Sequence, residues 1–556
     1  MKKKIIIPSI IVLVIIGVIL TIMLFPKTYT LKNNNTNKVS ITLKKDKEKI
    51  IKLKVEDSNK NIILKNFNTK QNTNYIVYIL RKDNKIINKG LIHNTDNTII
   101  PNIEKGEYVL SIIYKGLNNF KVNGKIYLED DKKDEYSTLK SGITVKDKIG
   151  ELINRDYKDY TIKNIKKAKE IKEEYMNDNY IVSTANSKKP IYMWVEEDTL
   201  YFYSENKIEY GSDTSYMFSN LSGLTDAADL KYIKADKLEN MSNMFFQDES
   251  LSDIKFLSYY NTPKLENIDS IFWKCYSLID ITPLIAIETD NLEDISSMLE
   301  ETSISDISIL KYFNTNKFTS ISGFISDTKV VDLTPIKNWD ISKVKTMSGA
   351  FSDTKITNVD ALKNWDVSKV ENMSFLFDCC VELNNINGIK NWNTKSLKSF
   401  NRALSYTNLT NLNALSKWNT KKLENFDGAF EHIRNLKDIK GISKWNTKKI
   451  KSFRYLFNYT SITNVDALKN WNTSKVTDME STFSHTKLKD LNGLKNWNVS
   501  KVKNFDGTFS HLKAKDVSGI NKWNINNGDS FEGVFYKSKL TPKWNGEFNK
   551  EGTFIK

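Results

Sequence analysis

Cysteine is nearly absent from this chain, with three residues in 556. That excludes the disulfide framework on which small exported domains rely. Cys275 and Cys380 hold equivalent positions four repeats apart, roughly 20 Å at about 5 Å per stacked rung, too far for a bridge. Cys379 and Cys380 are neighbours, and buried free thiols are the expected state. Histidine is almost as scarce, at four residues. Glycine and proline are few while Asn, Lys and Ile abound, which suits an AT-rich bacterial genome. No P-loop, dinucleotide glycine fingerprint, G-x-S-x-G elbow or H-E-x-x-H is present. The acid pairs Glu196–Glu197 and Asp130–Asp131 are adjacent turn residues, not the spaced carboxylates of a glycosidase. No catalytic, cofactor-binding or metal-ligating set is expected, and the chain reads as a non-enzyme.

What is present is a beat. Trp339, Trp365, Trp392, Trp418, Trp445, Trp471, Trp497 and Trp523 follow one another at 26 or 27 residues. Ile233, Tyr260, Ile287 and Phe313 extend the register upstream. A fixed beat of this length means stacked supersecondary units. The expected fold is therefore α+β and repetitive: a leucine-rich-repeat-like solenoid of about twelve units over 231–545. Within a unit, columns such as Met347, Met373 and Phe400, then Phe351, Phe377 and Leu404, stand at i and i+4. That spacing predicts one face of a short helical turn. The residue before each pair (Thr346, Asn372, Ser399, Asn425) is a helix N-capping type. The stretch Ser342–Val344 is expected to be a short β segment.

The phrases NWDVSKVENMSFLF (364–377) and NWNTSKVTDMESTF (470–483) resemble the repeats of BspA-type leucine-rich-repeat bacterial surface proteins. The lead-in VSTANSKKPIYMWVEEDTLYFYSE (182–205) is similar to the segment that precedes them. The resemblance covers about 180–545 and implies a role in adhesion or host contact.

Ahead of the repeats, Lys2–Lys4 precede an apolar run from Ile5 to Phe25. As a helix it would be roughly 30 Å long, the thickness of a bilayer core. With no small-x-small cleavage site after it, 1–28 is expected to be an uncleaved single-pass signal anchor, its lysines cytoplasmic and the rest of the chain extracellular. Short apolar runs between Asn/Lys/Asp turns over 29–133 predict an all-β sandwich-like domain. Residues 134–230 are expected to be a helical linker, with Ile162, Ile165, Ile171 and Tyr175 on one face, and an N-terminal cap. Residues 546–556 are expected to be a C-terminal tail.

One pattern is a candidate site. Lysine recurs four residues after the tryptophan position, at Lys343, Lys369, Lys449, Lys475 and Lys501 among others. Lys345, Lys451 and Lys503 add a second charge two residues on. Against a formal net charge of +16, this stripe suits anionic ligands, and equally a solvated edge that discourages aggregation. His432, His485 and His511 share another repeat position, where two stacked imidazoles would make only a poor metal site. The expected function is a surface binding protein, an adhesin contacting a protein or glycan of host or matrix, or anionic polymers, and joined to the membrane by its N-terminal helix; no nucleic acid is expected. A structural scaffold binding the cell's own anionic wall polymers is the alternative, and an envelope enzyme with an unrecognised site is a remote one.

Overall fold

A computed structural model of the protein describes residues 27–555, except 33–34, 45–46, 68–74, 93–97, 116–119, 130–134 and 154–161. The chain divides into two units, Met1–Glu135 with Thr282–Ile287, and Tyr136–Ile281 with Glu288–Lys556.

Alternating apolar residues build the first unit. Its strands are β1 (Thr28–Leu31), β2 (Asn37–Leu43), β3 (Glu48–Val55), β4 (Lys60–Lys65), β5 (Tyr75–Lys82), β6 (Lys85–Ile92), β7 (Thr98–Ile103), β8 (Gly106–Lys115) and β9 (Phe120–Glu129). In β2, Val39, Ile41 and Leu43 are buried while Ser40 and Thr42 face water. One sheet runs β1-β3-β8-β5-β6 and the other β2-β9-β4-β7. Their inward residues, such as Leu53 and Leu110 from one and Ile41 and Ile126 from the other, form one core. Strands β4 and β7 escape a search for alternation. The first is buried at four consecutive positions, Asn61 to Leu64, three of them apolar, and the second contains Pro101.

The second unit opens with β10 (Tyr136–Thr138), helix α1 (Gly142–Leu152), β11 (Asn164–Lys167), β12 (Tyr192–Glu196), β13 (Thr199–Tyr203), β14 (Lys207–Glu209) and β15 (Ile233–Lys234). The amphipathic helix expected across Ile162–Tyr175 is not formed. Ile165 lies buried in β11, which pairs in parallel with β13. Tyr175 instead stacks on Trp194 at 5.2 Å. Tertiary pairing has overridden a weak local preference.

The repeats correct the expected fold class. Among the described residues α1 is the single α-helix, the sheets are small and separate, and no closed leucine-rich-repeat-like solenoid is formed. Each unit is a chain of tight turns joined to its neighbours by backbone hydrogen bonds. Met347, Gly349, Phe351 and Asp353 donate their N–H groups to the carbonyls of Asn372, Ser374, Leu376 and Asp378, at 2.8–3.1 Å. These donors are thereby unavailable for an i→i−4 helix. Between them Ala350 and Ser352 close turns onto Met347 and Gly349. The conformation demands a left-handed residue twice per unit, at Gly349 (φ 65°) and Asp353 (φ 55°), then at Phe375 and Cys379, and onward to Gly533 and Lys537. Left-handed backbone cannot continue a right-handed helix. The i and i+4 columns are real inward columns, produced by two turns instead of one helical face. Ser342 and Lys343 likewise form a turn, closed by Val344 N–H on the Ile341 carbonyl at 2.9 Å, not a β segment.

The expected capping side chains do accept hydrogen bonds, but they open turns. Asn372 accepts from Ser374 N–H at 2.9 Å, and Asp478 from Glu480 N–H at 2.9 Å. The same residues make single parallel bridges from rung to rung. Two further corners of each unit repeat this device. Asp366 and Asn472, directly after tryptophan, accept from Ser368 and Ser474. Asn385 and Asp438 accept from Asn387 and Lys440, opening the 3-10 turn that leads to the next tryptophan. Short Asx side chains that mimic a backbone turn account for the abundance of asparagine.

The tryptophans are buried, with 3–6 % exposure. Each indole N–H from Trp339 to Trp523 donates to a carbonyl of the preceding rung at 3.0–3.2 Å. Tyr260 makes the same link with its hydroxyl, to the Leu230 carbonyl at 3.3 Å. One early unit therefore keeps this link without tryptophan.

The expected single-pass membrane anchor is also corrected. Most of 1–28 lies outside the described residues, and among those described no helix is long and apolar enough to cross a membrane. A membrane location through that helix is set aside.

Candidate functional site

The eight lysines of the expected stripe, Lys343, Lys345, Lys369, Lys449, Lys451, Lys475, Lys501 and Lys503, are all exposed. Turn geometry explains the first column, since the tryptophan and the following Val or Ile point inward and leave the turn's lysine outside. Two of the eight are compensated. Lys449 pairs with Glu424 at 2.7 Å and Lys503 with Asp529 at 3.8 Å. Among the described residues the other six have no ion pair within 4 Å. Carboxylates stand within the stripe at Glu371 and Glu424. A hydrogen bond from Lys398 holds the Glu371 carboxyl below its usual range, with Lys422 and Lys345 adding to the effect.

A second basic column lies on the other side of tryptophan. Lys337, Lys363, Lys390, Lys417, Lys444, Lys469, Lys495 and Lys522 are exposed, one per unit. They end the 3-10 turn or, at Lys444 and Lys522, directly follow its cap, where a cation also suits the free carbonyls. Sequence reading at fixed offsets misses them because the lysine slips between one and two residues before tryptophan. The acids near this corner thin out along the chain. Directly after tryptophan stand Asp340 and Asp366, then Asn393, Asn419, Asn446, Asn472, Asn498 and Asn524.

A third column is aromatic. Tyr406, His432, Tyr459, His485 and His511 occupy the second left-handed position of consecutive units. Their rings stack at 4.3, 4.5, 4.0 and 3.9 Å, within 22° of parallel. Face-to-face imidazoles cannot aim their in-plane lone pairs at one ion. Among the described residues no group of three His, Cys, Asp or Glu could hold a metal. The column presents ring edges to solvent, its faces being used internally. At its start Arg402 ties Asp378 (3.5 Å) to Glu431 (3.1 Å), so neither carboxylate is a free acid or base.

This stack has a pH consequence. Burial, then the neighbouring His511, holds the His485 imidazole below its ordinary range; burial, then Lys537, does the same to His511. His432 is lowered by burial, then by Arg434 and Arg402, with Glu431 3.8 Å away as the opposing charge. The native state thus favours neutral rings. The unfolded chain takes up protons first as pH falls below about 6.5, so this contribution to stability is present above that pH and lost as pH falls through it. NMR titration should place His485 and His511 below the ordinary imidazole range, and His485→Phe should flatten the acid loss of stability. Ordinary titration of both would show that the rings are not stacked.

The cysteines are packing groups. Cys275 and Cys380 donate to the Phe245 and Phe351 carbonyls at 3.2 and 3.0 Å, and all three thiols are free.

Inward aromatic and aliphatic columns, rung-to-rung hydrogen bonds and outward charge columns define a tandem-repeat protein. The family model described as "Mycoplasma protein of unknown function, DUF285" matches three times in tandem, over 212–334, 319–439 and 425–548. These matches span more than half the chain, which belongs to the DUF285 family. The search of curated proteins found no significant match.

Proposed function

We propose that this protein is a non-enzymatic binding protein, an adhesin that uses the outer face of its repeats for contact with host or matrix. The observation that carries this is the division of roles within each unit. Tryptophan, phenylalanine and the aliphatic columns are consumed by packing, while lysines stand exposed at fixed rung intervals. Many equal contacts along a stiff stack would act together, so avidity can exceed single-site affinity without new chemistry. Closer kinship with BspA-type surface proteins, suggested by the phrase W-[DN]-[VT]-S-K-V-x-x-M-x-x-x-F, is part of the same proposal. The test is saturable binding of the purified full chain to host cells and to an array of matrix proteins and glycans. Absence of binding to every surface would overturn the adhesive role.

A further inference from the structure

We propose that the partner is a linear anionic glycan lying along the repeat stack, gripped by the lysines on either side of the tryptophan column. The inference rests on the binding role proposed above and names its ligand.

Spacing comes first. Neighbouring rungs are locked by several backbone hydrogen bonds each, and successive indole rings such as Trp471, Trp497 and Trp523 lie 6.4 Å apart. Lysines carried on such rungs recur at about the spacing of hydrogen-bonded strands, near 5 Å. A rigid row of evenly spaced cations fits a polymer whose own charges repeat evenly along a line. Folded proteins seldom offer such a row.

The chemistry at each rung narrows the polymer. Beside the cation stands an exposed amide: Asn470 follows Lys469, and Asn496 follows Lys495. An ammonium paired with an amide recognises a sulfate or carboxylate next to hydroxyl groups, which is the surface of an acidic sugar. Single-stranded nucleic acid is disfavoured because it is held largely by stacking bases on open aromatic faces. Here Trp471, Trp497 and Trp523 are only 4–6 % exposed, and their N–H donors are already used.

Charge balance places the site. In earlier units Asp340, Asp366, Glu371 and Glu424 offset the lysines, and two of these acids pair directly, with Lys398 and Lys449. Asparagine replaces aspartate after tryptophan from Asn393 onward, and after Glu424 the column that held Glu371 and Glu424 continues as Lys451, Thr477 and Lys503, with no further acid until Asp529. The grip is therefore Lys469, Lys475, Lys495, Lys501 and Lys522, none with an ion pair within 4 Å among the described residues.

The experiment uses the full chain and immobilised heparin as the probe. Heparin that has been desulfated, N-acetylated and carboxyl-reduced, a neutral glycan, and oligo(dT) serve as comparison surfaces. Retention on heparin is expected to weaken steeply with salt, as counterion release requires. Changing the five lysines to glutamine should weaken it by about tenfold or more and flatten the salt slope. The same charge change at Lys44, Lys49, Lys52, Lys85 and Lys105, exposed lysines of the first unit, should alter it far less. The salt titration of the unsubstituted chain tests the charge dependence without any risk to folding. Equal weakening in both variants, or equal retention on the neutral glycan or on oligo(dT), would overturn the proposal. A chain that ignores heparin yet binds a matrix protein sinks the glycan and leaves the adhesive role standing. A chain that binds no surface sinks both.

Discussion

Trp418→Ala should cost about 3–5 kcal/mol, the range for emptying a buried aromatic site. Trp418 is 5 % exposed and stacked between Trp392 at 6.2 Å and Trp445 at 6.5 Å, with Phe400 edge-on at 5.3 Å. Its indole N–H also satisfies the Ile389 carbonyl at 3.1 Å. Two variants separate these contributions. Trp418→Phe keeps most of the ring and removes one of the carbonyl's two donors, the Trp392 N–H remaining at 3.1 Å, which should cost about 0.5–1.5 kcal/mol; the alanine variant loses both the ring and the bond. In a stacked repeat the damage should be local, because each unit touches only its neighbours. Hydrogen exchange should therefore accelerate over 392–445 and stay near parental values in the first unit of the chain. Unchanged exchange around Trp418 would mean that the ring is not packed as described and that the repeat register is wrong.

What could be read from the chain follows from how many residue types serve each role. The tryptophan beat and the phenylalanine columns were legible because a single large inward side chain recurs at each rung. The Asx corners were half legible. Thr346 and Asn372 announced a side-chain hydrogen bond to a nearby N–H, but the same chemistry opens a helix or a turn. What decides is the left-handed residue three positions on. Gly323, Gly349, Gly428, Gly507 and Gly533 signal it, while Phe375, Arg402, Tyr455 and Ser481 take the same conformation and hide it. The lysines before tryptophan were concealed by a one-residue slip. The histidines were visible as a column, but their stacking on Tyr406 and Tyr459 depends on a rung geometry that no spacing reveals.

Rung-to-rung approach predicts the second large effect, at Gly441. This residue sits in the 3-10 turn Lys440–Ile442. A methyl group there would lie 1.9 Å from the Leu412 carbonyl oxygen and 2.5 Å from its carbon. The obstacle is backbone of the preceding rung, so no side-chain rotation relieves it. Making room means separating the two rungs, which breaks the bonds from Leu412 N–H to Asp438 and from Lys437 N–H to Thr410, each 3.0 Å. Gly441→Ala should therefore cost about 3 kcal/mol, the upper end for overpacking. The equivalent residues of the flanking units are Ala414 and Ala467, so alanine is not excluded from the position as such. The reverse change, Ala467→Gly, removes a methyl without a clash and should cost no more than about 1 kcal/mol. Denaturant unfolding of both variants, with exchange measured at the Leu412 amide, checks the asymmetry. If Gly441→Ala proves as stable as the parent, with the Leu412 amide still protected, the two rungs do not approach as closely as the hydrogen bonds require.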